Sequence, residues 1–118
     1  MHFVMKSSDC KIALQTIFRR VKDLRPSRYV WLEADSGDSV TLKTNTGAFS
    51  FKGQVIEAGQ ALADRDQIKA FQQALKEDED IEVKLEGQSI SFRQGTYMFK
   101  FNQAVVDPDK SLRRKRRQ

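Results

Sequence analysis

The sequence predicts an α+β fold, with two helices packed on one face of antiparallel sheet. Three observations predict it. Two segments, about residues 7–24 and 65–76, repeat apolar residues at helical spacing, and most of the remaining first hundred residues alternate apolar with polar between Gly-bearing turns. The order of elements, β-α-β-β-β-(β)-α-β-β-β, sets a helix and a three-strand meander down twice. Helices must bury their apolar stripes on a sheet, so two such halves place both helices on one sheet face.

Residues 2–6 form the first short strand, and Ser7, Ser8 and Asp9 then offer N-caps to a helix. At 100° per residue Cys10, Ala13, Leu14, Ile17, Phe18, Val21 and Leu24 make one apolar stripe. Arg25 precedes Pro26, and the residue before proline is pushed out of the helical region, so the helix runs to about Leu24. Strands at 29–34, 40–44 and 49–52 follow, separated by turns at 36–38 and 45–47. Their alternation sends Val30, Leu32, Val40, Leu42, Phe49 and Phe51 to the face that receives the helix. Residues 54–58 extend the last strand beyond Gly53, and 59–63 begin another extended piece. Asp64 with Gln67 three residues on is a capping-box pattern opening the second helix, which buries Ile68, Phe71 and Leu75. After a solvated acidic connector at 76–80, strands at 81–85, 90–93 and 97–101 close the body, and Pro108 ends it. The organisation expected is a domain over 1–106 and a flexible basic tail over 107–118.

The formal charge of +5 is unevenly spread. The last nine residues carry Lys110, Arg113, Arg114, Lys115, Arg116 and Arg117 and no acid, which leaves fifteen basic against sixteen acidic residues in 1–109. The body is nearly neutral and the tail is a separate cationic arm; blocks of like charge repel themselves, resist folding and act as interaction segments. With one Cys and one His there is no intramolecular disulfide and no zinc spacing. No apolar run approaches a membrane span and no signal-peptide pattern opens the chain, so the expectation is a soluble, cytoplasmic protein. Catalysis has little to stand on. His2 lies in a strand, Cys10 sits on the buried stripe, the carboxylates at Asp35, Asp38 and 77–80 belong to turns and a solvated run, and no phosphate loop or nucleophile elbow is present. The expectation is no enzyme, no cofactor and no metal.

Several features together resemble one domain of the bacterial DNA polymerase sliding clamp, the β subunit, and in particular its first domain. They are the opening strand at Met1, His2 and Phe3, Leu14 and Gln15 in the first helix, Arg25 and Pro26 after it, and the segment 63–75 leading into the second helix. The closest stretch is 80–93, an alternating strand, a Leu85-Glu86-Gly87 turn and a strand ending at Arg93, followed by Gly95 and Tyr97. The resemblance spans residues 1–106. It implies a ring component that encircles duplex DNA, helices inside and sheets outside, and it implies a DNA-proximal role for Arg25. The family has three such domains per chain closing as a dimer, whereas this chain has one. Either several copies assemble through their sheet edges or no ring forms. The later domains that carry the family's partner pocket are absent from this sequence, so replication proteins are expected partners only through other surfaces.

Sequence-independent DNA binding needs Lys and Arg at phosphates. The face of the first helix opposite the stripe offers Lys11, Gln15, Arg19 and Lys22, with Arg20 on its flank and Asp23 diluting the charge. The second helix offers Lys69, Gln73 and Lys76. The candidate DNA-binding set is Arg19, Arg20, Lys22, Arg25, Lys69 and the six tail cations; the tail's other reading is solubility. Ile12 falls on the outward arc of the first helix. Tyr29 and Trp31 have the opposite parity to Val30 and Leu32, making the outer sheet face a candidate stacking platform or protein interface. The alternative function is a protein-protein interaction module that keeps the fold without forming a ring.

Overall fold

A computed structural model describes residues 1–76 and 79–104. The elements are β1 (His2–Met5), α1 (Ser7–Ile17), β2 (Tyr29–Asp35), β3 (Ser39–Thr44), β4 (Gly47–Lys52), β5 (Gln54–Glu57), β6 (Gly59–Asp64), α2 (Arg65–Gln73), β7 (Ile81–Glu86), β8 (Ser89–Gln94) and β9 (Tyr97–Asn102). The α+β reading holds, with the antiparallel strands divided between two sheets, ordered β5-β1-β7-β8-β9 and β4-β3-β2-β6.

The division follows from an exchange between the halves. β1, which leads into α1, pairs with β7 of the second meander, Phe3 opposite Val83 and Met5 opposite Ile81. β6, which leads into α2, pairs with β2 of the first meander, Leu32 opposite Ala61 and Val30 opposite Ala63. Each half therefore lends its first strand to the other half's sheet. Neither half can bury its apolar face alone, and the shared core runs from Phe3, Leu14 and Ile17 to Ile68, Phe71 and Phe92, all 2% exposed or less. Phe71 packs on Phe92 at 4.7 Å between ring centroids, and Phe92 stacks on Phe101 at 5.8 Å. Such buried aromatic pairs add about 1 kcal/mol each beyond the area they bury.

The first helix is shorter than its stripe implies. It ends at Ile17, whose carbonyl accepts hydrogen bonds from the hydroxyls of Thr44 (2.6 Å) and Thr46 (2.8 Å) on the β3–β4 turn. With that terminal carbonyl satisfied by side chains, another helical turn is unnecessary. Val21 and Leu24 instead exchange backbone hydrogen bonds around a tight turn that holds Lys22 at φ 52°, and both are more than two fifths exposed. They leave the core stripe, and Arg19, Arg20 and Lys22 leave the helix. The expected N-cap also differs: Lys6 occupies that position without a side-chain cap, and Ser7 is the first helical residue.

α2 opens at the expected N-cap, Asp64, which accepts from the Asp66 amide at 2.8 Å and not from that of Gln67 as a capping box would have it, and closes at Gln73 rather than Lys76. Two tightened i→i+3 bonds, Ala74 to Phe71 and Leu75 to Gln72, finish it. The fully buried Gln94 then pins the chain beyond: its Oε1 accepts from the Lys76 amide (2.8 Å), and its Nε2 donates to the carbonyls of Lys76 (2.7 Å) and Glu79 (3.0 Å).

Candidate nucleic-acid interface

The two helices run alongside each other in opposite directions. Near the end of α1, Lys69 Nζ of α2 sits 5.5 Å over the ring of Phe18. At the other end the helices part into a cleft of about 920 Å³ lined by Lys6, Ser8, Lys11 and Ile12 from the start of α1 and by Leu75 and Lys76 after α2, with Asp80 at its margin. Three ammonium groups around a partly apolar groove can meet phosphate oxygens while their stems cover the apolar floor. Ile12, about half exposed, is part of that floor.

The connector 18–28 leaves from the Phe18 end. Arg19, Arg20, Lys22, Arg25 and Arg28 are all exposed, with Asp23 the single acid among them. Its backbone is nonetheless held. Asn45 donates from Nδ2 to the Arg25 carbonyl (3.0 Å) and accepts from the Ser27 amide. Arg65 donates from Nη1 to the Pro26 carbonyl (2.9 Å), and its amide donates to the Arg28 carbonyl (2.7 Å). Arg65 Nε is buried with no hydrogen-bond partner among the described residues; the Asp66 carboxylate stands 3.6 Å away. The result is a fixed main chain presenting long cationic side chains to solvent, an arrangement suited to phosphates and carrying no base-reading geometry.

The sequence-predicted residues thus fall into three groups. Arg19, Arg20 and Lys22, expected on the first helix, join Arg25 on one anchored connector. Lys69 is on α2 as expected, its ammonium engaged with Phe18. Lys110, Arg113, Arg114, Lys115, Arg116 and Arg117 lie outside the described residues. Sequence reasoning missed Lys6, which reads as the tail of a strand, and Arg28, which reads as a strand entry. The signal for Lys6 was its place immediately before a helix start.

The four sheet edges are unequal. Beyond β9 the chain turns onto β6, the Ala104 amide donating to the Leu62 carbonyl (2.8 Å) and Gln103 Oε1 accepting from the Leu62 amide (2.9 Å). β5 is four residues long and gives its Val55 amide to the Asp38 carboxylate at 3.0 Å. β4 and β9 end their sheets as six-residue strands with half-buried aromatics, Phe49 and Phe51 on one and Tyr97 and Phe99 on the other.

Burial pushes the Cys10 thiol up to about 12, which leaves it protonated and unreactive at neutral pH. His2 Nε2 meets the Glu82 carboxylate at 2.9 Å, and this hydrogen bond holds Glu82 below the ordinary glutamate value. Among the described residues no group of three or more His, Cys, Asp or Glu side chains could hold a metal ion, and no helix is long and apolar enough to cross a membrane.

No protein-family model matches the chain, and no curated protein matches it in sequence. Solved structures match it in shape. The DNA polymerase III β subunit of Pseudomonas aeruginosa superposes with a TM-score of 0.74 at 18% identity, covering 92% of this chain and 31% of that one. The β subunit of Streptococcus pyogenes gives 0.73 at 18% identity with the same coverage, and the sliding clamp of Bartonella birtlesii gives 0.71 at 18%, covering 87% and 31%. The chain spans about a third of the length of these structures. At such identity the likeness is one of backbone architecture, and on that ground this chain has the fold of a single domain of the bacterial DNA polymerase III sliding clamp.

Proposed function

We propose that the protein is a non-catalytic, DNA-associated replication accessory factor related to the sliding clamp, binding duplex DNA without regard to sequence. The observation that carries this reading is the anchored connector 18–28. Its four predicted cations project from a fixed main chain at one end of the helix layer, beside Arg28 paired with the Asp64 carboxylate at 3.3 Å, and Lys6, Lys11 and Lys76 border the cleft at the other. Lys69 lies between them, and the cationic tail residues add a second, sequence-blind contact. Long cations in the absence of a base-edge reader suit a protein that holds DNA and does not stop on it.

Ring formation, on this reading, comes from copies of the chain. β4 and β9 are six-residue edges with no strand beyond them among the described residues, and pairing β4 of one copy with β9 of the next is a heterologous contact that closes a ring if its rotation allows. Replication proteins of the cytoplasm are the partners this role implies. The test is retention on DNA. Full-length protein should form oligomers and be held longer by circular than by linear duplex, because a ring slides off free ends. A protein that stays monomeric at high concentration with DNA present defeats the ring, and one that binds no duplex at low salt defeats the whole reading.

A further inference from the structure

The connector 18–28 holds one feature that phosphate contacts leave unused. Val21 and Leu24 exchange both backbone hydrogen bonds, the Val21 amide donating to the Leu24 carbonyl (3.2 Å) and the Leu24 amide to the Val21 carbonyl (2.8 Å). Lys22 and Asp23 alone lie between them, so the pair is a one-rung antiparallel bridge across a two-residue turn. Partners in such a rung send their side chains to the same face. Val21 is 41% exposed and Leu24 48%, which makes a small apolar tip turned to solvent.

Single exposed apolar residues need no explanation. This pair differs because the backbone is bent to present it: Lys22 holds φ 52° at the first central position of the turn, where glycine is the favoured residue. Arg19, Arg20, Lys22 and Arg25, all exposed, flank the pair along the chain, with Asp23 the single acid among them. A matching ligand offers a small apolar surface bordered by phosphates. An intact duplex offers the phosphates and keeps its base-pair faces stacked inside. A bilayer offers both, but anchoring there takes a broad apolar face, and no other large apolar side chain among the described residues of 18–28 is exposed. A break in one strand of a duplex gives the match. There a base-pair face can open beside the phosphates, and opening it costs least because the stack is already interrupted.

We infer that the tip formed by Val21 and Leu24 is a wedge that enters the base stack at a nick or gap in duplex DNA, while the flanking cations hold the phosphates around it. The tip reads no base edge and recognises the interruption itself. On unbroken duplex it stays out of the stack and the cations act alone, so the protein slides there and pauses at breaks. This role rests on the duplex binding proposed above and adds to it a contact selective for DNA structure.

Full-length protein is titrated against two labelled duplexes of equal length and sequence, one intact and one with a single central nick. By anisotropy the nicked duplex should bind about fivefold more tightly. A 2-aminopurine beside the nick should brighten on binding as its stacking is broken. Val21→Ser with Leu24→Ser should abolish the preference and the brightening. Its intact-duplex affinity and its slope of log affinity against log salt should match the parent's, since no phosphate contact is lost. Leu24→Met should keep the preference. Equal binding of both duplexes by the parent would overturn the wedge and leave duplex binding standing, whereas no duplex binding at all would overturn both. A double serine variant that keeps the preference, or that loses intact and nicked binding equally with a shallower slope, would also overturn the wedge. So would binding to phosphatidylserine vesicles that this variant loses in the absence of any nick preference in the parent.

Discussion

The link from helix to meander is built twice in this chain, and the two versions have opposite charge. After α1, the connector 18–28 carries Arg19, Arg20, Lys22, Arg25 and Arg28 against Asp23; after α2, residues 74–80 carry Lys76 against Glu77, Asp78, Glu79 and Asp80. Both main chains are anchored by a side-chain amide from the neighbouring meander, Asn45 for the first and Gln94 for the second. Among the described residues the same structural device thus presents a cationic edge in one half and the carboxylates of Glu79 and Asp80 in the other. A near-neutral body can therefore have a polarised helix layer, and the whole-chain charge says nothing about which end of it a polyanion would meet.

Three substitutions break or sharpen that contrast, in falling order of effect. Gln94→Leu removes the anchor of the acidic connector and leaves the amide of Lys76 and the carbonyls of Lys76 and Glu79 without their partner. It should destabilise the fold by about 3 kcal/mol in urea unfolding, with tighter DNA binding not among its effects. Glu79→Lys with Asp80→Lys gives the second connector some of the first one's charge; duplex affinity at low salt should rise severalfold, measured by anisotropy, while the melting temperature hardly moves. The smallest effect is a control away from both connectors. Glu82 is held below the ordinary glutamate value of 4.5, first by its hydrogen bond with His2, so its stabilising contribution is present above that pH and is lost as pH falls through the lower folded-state value. Glu82→Gln should be slightly less stable than the parent above the ordinary glutamate value, and the difference should disappear as pH falls below the lowered one.

Much of this was legible in the sequence because the signals were local. Period-two alternation located the strands of both meanders, and Asp64 announced the start of α2. The end of α1 was not legible, since Val21 and Leu24 continue the apolar spacing. What stops the helix is a pair of threonine hydroxyls, Thr44 and Thr46, from 27 and 29 residues further along the chain. The division into two sheets was hidden for the same reason: β1 joins β7 and β6 joins β2 through pairings that no local pattern encodes. Arg19, Arg20 and Lys22 were read correctly as exposed and were placed on the wrong element. Their grouping on a connector became visible only once Asn45 and Arg65 were seen to hold it.

The central claim is that the first connector, and not charge in general, holds duplex DNA to the body. Its most direct test is the salt dependence of duplex binding by full-length protein and by a variant in which Arg19, Arg20, Lys22 and Arg25 are all alanine. Each phosphate contact contributes about 0.9 to the slope of log affinity against log salt. The account predicts a variant slope shallower by about 3.6, with the fold unchanged by circular dichroism. A slope identical to the parent's would contradict it and leave duplex binding to the tail and the helix-layer lysines.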